Sequence, residues 1–331
     1  MPSFQYSGSR LDRGGVHRRD PDWVAAMMAD PSARVVPVWH DRNLVHELDA
    51  KGEDLAVTLC DIPSLGAPRV APLVAATFNW VFLGMDELTG PLFAVDLSAL
   101  DEEQAVAVAG QGTFHDLRRI GPSVSIGEAA IMAYARGMLT WHRRNLHCGV
   151  CGSATRSVSA GHVRQCTNAQ CGTEAFPRTD PAVIMLVERP AEGGKPACCL
   201  LARHARLPRA VYSTLAGFVE PGESLEEAVA REVMEETGVV VDAWSYHGSQ
   251  PWPFPASLMV GFRARGATSG ITLDPQELDE ARWFTAAELD AFGEWGDDAA
   301  ERCLPRPDSI ARSLVESWRA EQRMPERASP G

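Results

Sequence analysis

Three glutamates near the middle of the chain have the spacing of a metal-binding helix face. Glu232, Glu235 and Glu236 occupy positions i, i+3 and i+4 of the segment LEEAVAREVMEET. These positions are neighbours on an α-helix, so the three carboxylates share one face and repel one another. Divalent cations would neutralise that repulsion, and carboxylate oxygens suit Mg²⁺ or Mn²⁺. The alternative is a solvated acidic face, and the glycines and Arg231 around the cluster favour metal binding over it.

The sequence around these glutamates predicts a helix from Leu225 to Thr237. Ser224 is a suitable N-cap, and Glu227 three residues later completes a capping box. Gly238 follows where a helix ends in a left-handed residue. Apolar residues recur at helical spacing and predict the buried stripe: Leu225, Ala228, Val229 and Val233. Glu223 precedes the helix, and Arg231 is expected to orient a carboxylate.

Four cysteines have the spacing of a zinc site. They follow the pattern C-x2-C-x14-C-x4-C at Cys148, Cys151, Cys166 and Cys171. Two close pairs of thiolates can form a closed tetrahedral site, which leaves no position for water and therefore predicts one structural Zn²⁺ per chain. The second pair is spaced more widely than usual, and four unconnected thiols are the alternative.

A proline-rich segment with two aromatic residues follows the acidic helix. Ser249 to Ser257 reads SQPWPFPAS, and its three prolines exclude a helix or a central strand. A stiff loop would present Trp252 and Phe254 for stacking on a flat ring, with Gln250 and Ser257 as hydrogen-bonding groups. The alternative is a hydrophobic turn packed into the core. A loop that precedes the acidic helix contains Arg203, Arg206 and Arg209. These arginines could bind substrate phosphates, and the alternative is that they are solvated.

Size and charge limit the classes of protein. The chain has 331 residues and a net charge of −13, from 44 acidic and 31 basic residues. We expect at least two domains and no extended nucleic-acid surface, because such a surface requires a basic footprint. The amino terminus lacks an apolar signal core, and the apolar run from Leu73 to Met85 is too short for a bilayer. These features favour a cytoplasmic protein without membrane contact.

The acidic segment resembles the Nudix box, G-x5-E-x7-R-E-U-x-E-E-x-G-U, where U is aliphatic. Every specified position is filled, by Gly217, Glu223, Arg231, Glu232, Val233, Glu235, Glu236, Gly238 and Val239. The proline-rich segment after the box is similar to the signature of the NADH pyrophosphatase, or NudC-like, branch of that superfamily. This resemblance implies hydrolysis of NAD(H) to NMN(H) and AMP, and removal of NAD caps from RNA with a 5′-monophosphate left behind. It also implies Mg²⁺ or Mn²⁺ as catalytic ion, and a homodimer.

The resemblance also implies an α+β multidomain fold. We expect a mainly β N-terminal domain at 1–140, a zinc ribbon at 141–178, a Nudix α/β/α sandwich with a mixed sheet at 179–325, and a disordered tail at 326–331.

Site residues are implied in the same way. The catalytic set would be Glu235 and Glu236 with Arg231 and Glu223, and either Glu235 or Glu236 could be the base. The expected metal ligands are the backbone of Ala216, Glu232, Glu235, Glu236 and Glu277. The expected substrate contacts are Phe176, Phe218, Gln250, Pro251, Trp252, Pro253, Phe254, Pro255, Ala256, Ser257 and the backbone of Ala311.

Two other functions stay open at the level of sequence. One is a Nudix hydrolase of ADP-ribose or another dinucleotide, which the intact proline-rich segment disfavours. The other is a nucleotide-sensing regulator without catalysis, which the complete set of box glutamates disfavours.

Overall fold

The computed structural model describes residues 4–48, 56–59, 62–63, 79–109, 112–204 and 210–323. Two compact units divide the chain. The N-terminal unit comprises Gln5–Thr179 and Pro251–Ala256, and the C-terminal unit comprises Asp180–Gln250, the chain from Ser257 onward and Phe4. The predicted tail and two arginines of the basic loop, Arg206 and Arg209, lie outside the described residues. None of the described helices combines the length and the apolar character needed to cross a bilayer.

The N-terminal unit is built on a seven-stranded sheet, as the mainly β prediction requires. The strands are β1 (Arg34–Trp39), β2 (Arg42–Leu48), β3 (Ala56–Leu59), β4 (Ile62–Pro63), β5 (Trp80–Asp86), β6 (Gly90–Asp96) and β7 (Thr113–Asp116). Their order is β3-β2-β1-β6-β5, with β4 on β1 and β7 on β2. Only β1 and β6 run parallel among these pairs of described strands. β1 and β2 pair antiparallel as a hairpin.

The described part of this unit also contains the helices α1 (Pro21–Ala29), α2 (Glu102–Ala109), α3 (Leu117–Ile120) and α4 (Ile126–Arg144). Ser125 caps α4 by accepting a hydrogen bond from the Glu128 N–H at 3.4 Å. The apolar face of α4, including Ala135, Met138 and Leu139, packs on β1, β5 and β6. Burial of this face attaches α4 to the sheet.

A small antiparallel sheet lies next to the four clustered cysteines, of which Cys166 belongs to a strand. Its strands are β8 (Thr155–Val158), β9 (Val163–Cys166) and β10 (Glu174–Ala175), in the order β10-β9-β8. A tight turn joins β8 to β9, and its first three residues Ser159, Ala160 and Gly161 all have positive φ, at 52°, 53° and 89°. Left-handed backbone is uncommon outside glycine, so this turn is held by its surroundings.

The C-terminal unit contains a six-stranded mixed sheet. Its strands are β11 (Asp180–Arg189), β12 (Cys198–His204), β13 (Leu215–Phe218), β14 (Val241–Trp252), β15 (Ser257–Gly266) and β16 (Leu278–Thr285). The order is β14-β15-β11-β12-β16, with β13 paired to β11. β11 and β15 run parallel, whereas β12 and β13 pair antiparallel with β11.

Helices cover both faces of this sheet. They are α5 (Leu225–Thr237), α6 (Ala286–Leu289) and α7 (Ile310–Arg323). Because side chains alternate along a strand, Val183, Met185 and Val187 of β11 face one way and Ile184 and Leu186 the other. The first set packs with α5 and the second with α7. The predicted α/β/α sandwich with a mixed sheet is therefore confirmed.

The loop within the proline-rich segment is shorter than predicted. β14 continues through Gln250 and Pro251 to Trp252, so only Pro253–Ala256 form the turn before β15. β14 lies at the edge of the sheet. An edge strand tolerates proline because its outer N–H groups need no partner.

Candidate active site

The acidic helix α5 has the bounds that its capping residues predict. The Ser224 Oγ accepts a hydrogen bond from the Glu227 N–H at 3.2 Å, and the Glu227 carboxylate accepts one from the Ser224 N–H at 2.8 Å. Gly238 ends the helix with a φ of 66°. The stripe of Ala228, Val229 and Val233 is fully buried against the sheet. The opposite side of the helix then carries its glutamates at fixed positions.

Arg231 holds three carboxylates and one carbonyl around its guanidinium. It binds Glu223 with two hydrogen bonds, from Nε at 2.7 Å and Nη2 at 2.9 Å. Its Nη1 donates to Glu232 and Glu235, both at 2.9 Å, and Nη2 also donates to the Phe218 carbonyl at 2.9 Å. The bonds from Arg231 lower the pKa of Glu223 to about 2. Arg231 and Glu223 thus form a rigid support for the neighbouring glutamates.

Glu236 is the most deeply buried carboxylate of the cluster. Its side chain is 1% exposed, and Oε2 has no hydrogen-bond partner. Burial, followed by the nearby carboxylates of Glu232, Glu277 and Asp274, raises the pKa of Glu236 to about 8, against an opposing backbone hydrogen bond from Ala216. Burial also raises the pKa of Glu232. A buried carboxylate without a partner is unfavourable unless a cation or a proton joins it.

Gly217 allows the strand β13 to approach α5. A Cβ atom at this position would lie 1.8 Å from the Glu232 Cδ and 2.2 Å or less from both carboxylate oxygens. Glycine is therefore required here because a side chain would not fit. Its backbone conformation does not require glycine, because its φ lies outside the left-handed region. The close approach brings the neighbouring Ala216 beside Glu236.

This set of groups fits a hard divalent cation. Glu236 supplies an unpartnered buried oxygen, and Glu232 and Glu277 are close enough to act on its pKa. Asp274 belongs to the same neighbourhood but was not predicted, although it lies only three residues before Glu277. Among the described residues, the acidic side chains do not converge as closely as the four cysteines, whose ligand atoms all lie within 4.8 Å of one another.

The four cysteines converge as predicted. The Sγ atoms of Cys148 and Cys171 are 3.8 Å apart, and those of Cys151 and Cys166 are 3.5 Å apart. A tetrahedral site with Zn–S bonds of about 2.3 Å places its sulfur atoms about 3.8 Å apart. The geometry therefore fits a structural zinc ion held by four thiolates.

The residues expected to contact substrate differ widely in accessibility. Phe218 is 60% exposed and Phe176 is 44% exposed, so both rings are available for stacking. Ala311 is buried in the core, but it lies in the first turn of α7, where backbone N–H groups have no partner within the helix.

Gln250 has a structural role that was not predicted. Its side chain is fully buried, its Nε2 donates to the Asp308 carbonyl at 2.7 Å, and its Oε1 accepts from the Ile310 N–H at 2.8 Å. Both ends of the amide thus hold the start of α7, and a substrate contact from this side chain stays a prediction.

The aromatic residues of the proline-rich segment pack within the N-terminal unit. Trp252, Phe254 and Tyr6 form mutual edge contacts with ring centroids 5.2–5.9 Å apart. The guanidinium groups of Arg118 and Arg136 lie 4.7 and 4.9 Å from the centre of the Phe254 ring. These three partners are distant in sequence and were not predicted. The arrangement favours the packed alternative for this segment.

Comparisons with known proteins extend the likeness beyond the box. Residues 178–303 match the family described as NUDIX domain, residues 32–141 the NADH pyrophosphatase-like rudimentary NUDIX domain, and residues 143–176 the NADH pyrophosphatase zinc ribbon domain. The NAD-capped RNA hydrolase NUDT12 of Homo sapiens is 32% identical, over 95% of this chain and 72% of that protein. Nudix hydrolase 19, chloroplastic, of Arabidopsis thaliana is 44% identical, over 50% of this chain and 38% of that protein.

A bacterial relative matches at almost full length. The NAD-capped RNA hydrolase NudC of Mycobacterium bovis (strain BCG / Pasteur 1173P2) is 42% identical, over 94% of this chain and 94% of that protein. The matched length includes the rudimentary domain and the zinc ribbon as well as the box. Because the likeness covers all three regions in the same order, the chain belongs to the NudC family of Nudix hydrolases.

Proposed function

We propose that this protein hydrolyses the diphosphate of NAD(H) to NMN(H) and AMP, and removes NAD caps from RNA to leave a 5′-monophosphate. One structural observation supports hydrolysis most directly. Glu236 keeps an unpartnered buried oxygen beside Glu232 on a complete Nudix helix. The choice of substrate rests on relatives named as NAD-capped RNA hydrolases.

The reaction joins a water oxygen to one phosphorus of the diphosphate and breaks the bond from that phosphorus to the bridging oxygen. The bridging oxygen leaves with the second phosphate, and the water loses a proton to a carboxylate. Bound Mg²⁺ or Mn²⁺ would lower the pKa of water and neutralise phosphate charge. Glu232, Glu236, Glu277 and the backbone of Ala216 are the groups that we propose to hold it.

Glu235 and Glu236 both stay candidates for the base. Glu236 is buried with a raised pKa, whereas Glu235 binds Arg231 and its side chain is the more exposed of the two. Separate Glu→Gln variants distinguish the roles. Loss of a metal ligand raises the Mg²⁺ concentration needed for half-maximal rate, while loss of the base lowers kcat at saturating Mg²⁺.

We further propose that Phe176 and Phe218 stack on rings of the substrate, that residues 251–257 shape the dinucleotide site, and that the protein acts as a cytoplasmic homodimer. The domain boundaries near residues 140 and 178 are part of the same proposal. The large exposed fractions of the two rings support the stacking role.

Product analysis tests the proposed function. The full chain is incubated with NADH, ADP-ribose or NAD-capped RNA, each with Mg²⁺ or Mn²⁺. We expect NMNH and AMP from NADH, and 5′-monophosphate RNA from the capped transcript. Turnover of ADP-ribose alone would identify a Nudix hydrolase of different substrate. Binding without turnover of any of the three would identify a nucleotide sensor.

A further inference from the structure

A basic cleft lies in the N-terminal unit, within residues that the reaction does not use. Its volume is about 940 Å³. Arg18 and Arg19 line one side, beside the start of α1. Arg156 on β8 and Arg164 on β9 line the other side, and Trp80 of β5 adds an aromatic wall. The cleft thus combines four guanidinium groups with one aromatic ring.

None of these arginines is neutralised by a carboxylate within 4.0 Å among the residues that the structure describes. Elsewhere in the molecule arginines are commonly paired, as in Arg143 with Asp96 and Arg263 with Glu321. Asp20 follows Arg19 in the chain, but its carboxylate accepts the N–H groups of Asp22 and Trp23 at the start of α1. The cleft therefore keeps a local excess of positive charge in an acidic protein.

Arg164 is the most deeply buried of the four arginines. It is 5% exposed, yet its hydrogen bonds all go to neutral acceptors. These are the Thr155 hydroxyl at 2.7 Å, the Thr155 carbonyl at 3.0 Å, Asn79 at 3.2 Å and the His142 Nδ1 at 3.0 Å. A buried guanidinium stays charged, and burying it without an anion is unfavourable. An anion in the cleft would offset that penalty.

The wall of the cleft is fixed rather than adaptable. His142 Nε2 lies 2.7 Å from the Gly161 carbonyl, and burial lowers the pKa of His142 to about 4. The neutral ring therefore donates from Nε2 to Gly161 and accepts from Arg164 at Nδ1. A Cβ at Gly161 would lie 2.7 Å from the Trp80 carbonyl, so the left-handed turn is packed tightly on β5. The arginines and Trp80 consequently keep a set spacing.

We propose that this cleft binds phosphate groups of single-stranded RNA, with a base stacked on Trp80. The choice of RNA over free phosphate rests on the proposed function, because a capped transcript brings a strand of phosphates to the enzyme. A chain with a net charge of −13 repels such a strand, so a local basic cleft would be needed to hold it. Aromatic side chains beside cationic ones are the usual means of binding single strands.

The salt dependence of RNA binding allows a quantitative prediction. Arg19 and Arg156 are exposed and Arg18 is half-buried, with its Nε bound to the Arg13 carbonyl. The free guanidinium N–H groups of these three residues can each neutralise one phosphate. For single-stranded nucleic acid, each neutralised phosphate contributes about −0.7 to the slope of log K against log salt concentration. Three contacts predict a slope of about −2, and removing two of them should reduce it to about −0.7.

The test compares two double variants of the full-length, zinc-loaded protein. Arg19→Glu with Arg156→Glu alters the cleft, whereas Arg119→Glu with Arg144→Glu makes the same change in net charge elsewhere in the N-terminal unit. The probe is a 3′-labelled 12-nucleotide RNA with a 5′-monophosphate, followed by fluorescence anisotropy without Mg²⁺ at several salt concentrations. We expect the cleft variant to raise Kd at least about tenfold and to lose about 1.4 of the slope, and the control to stay within about threefold of the parent.

Equal loss of binding in both variants, or no loss in the cleft variant, would overturn the proposal. A cleft variant that turns a dimer into a monomer in sedimentation would also overturn it, since the cleft would then contact a second copy of the chain. Hydrolysis of NADH, which has no RNA body, is measured in parallel and should have the same kcat/KM in both variants. A parent protein that is inactive on NADH would refute the proposed function. The comparison of Kd values would still show whether the cleft binds RNA.

Discussion

Replacing Glu236 by glutamine should stabilise the metal-free protein while abolishing its activity. The buried carboxylate is costly to ionise, and its pKa is raised to about 8 by burial and neighbouring carboxylates. Glutamine has nearly the same shape and carries no charge. The variant should therefore remove an unfavourable electrostatic contribution without opening a cavity.

The magnitude follows from linkage between protonation and folding. The raised pKa means that the folded state binds the proton more tightly than the unfolded state, whose ordinary value is 4.5. The contribution of Glu236 to stability is therefore most favourable below pH 4.5, and it is lost as the pH rises toward 8. At 1.36 kcal/mol per pH unit, the 2.5 units between 4.5 and 7 correspond to about 3 kcal/mol at neutral pH.

Denaturant unfolding of both proteins measures this difference, with Mg²⁺ and Mn²⁺ absent and the ribbon zinc retained. We expect Glu236→Gln to be more stable than the parent by about 3 kcal/mol at pH 7, and by less than about 1 kcal/mol at pH 5. Added Mg²⁺ should stabilise the parent and have little effect on the variant. The control is Glu226→Gln, an exposed glutamate in the first turn of the same helix. A Glu236→Gln variant that is less stable than the parent at every pH would refute the account of a strained carboxylate.

Four further predictions concern the zinc, the close approach at β13 and two aromatic rings. Cys151→Ser should lower the zinc content from about one ion per chain and lower Tm together, as metal analysis and thermal unfolding would report; freshly purified parent without zinc would contradict the structural role. Gly217→Ala should displace Glu232 and reduce kcat by about 100-fold with the fold retained, and a normal kcat would mean that the glutamate position is unimportant. Phe176→Ala should weaken NADH binding by about 1–3 kcal/mol, seen as a higher KM, without a large change in Tm. Trp252→Ala should lower Tm as well, because that ring packs on other side chains, and an unchanged Tm would argue against this packing.

Features encoded by short-range pattern could be predicted from the sequence. The bounds of α5 follow from Ser224 and Gly238, whose hydrogen bonds and backbone angle act within one turn. The cysteine cluster follows from two close pairs, each on a local turn. In these cases a few neighbouring residues determine the local structure, so spacing alone is informative.

Features that depend on distant partners could not be predicted. Gln250 has the residue type of a substrate contact, but its amide is used by residues about sixty positions away. Tyr6 and Arg118 contact the proline-rich segment from far along the chain. Asp274 joins the carboxylates only through folding. Local pattern contains no signal for contacts of this kind.

The basic cleft shows how an average over the sequence can conceal a local site. A net charge of −13 argues against nucleic-acid binding. The four arginines that line the cleft lie between positions 18 and 164, without a basic run that would mark them. The packing of α1 on the turn between β8 and β9 brings them to one surface.

The central claim is that the chain cleaves the diphosphate of an NAD cap. It is tested most directly by the mass of the 5′ nucleotide of NAD-capped RNA after incubation with the parent protein and Mg²⁺ or Mn²⁺. The account predicts a 5′-terminal adenosine monophosphate and released NMN, with Glu236→Gln leaving the cap intact under the same conditions. An unchanged cap with the parent protein, or an ADP-ribose end from loss of nicotinamide alone, would contradict it.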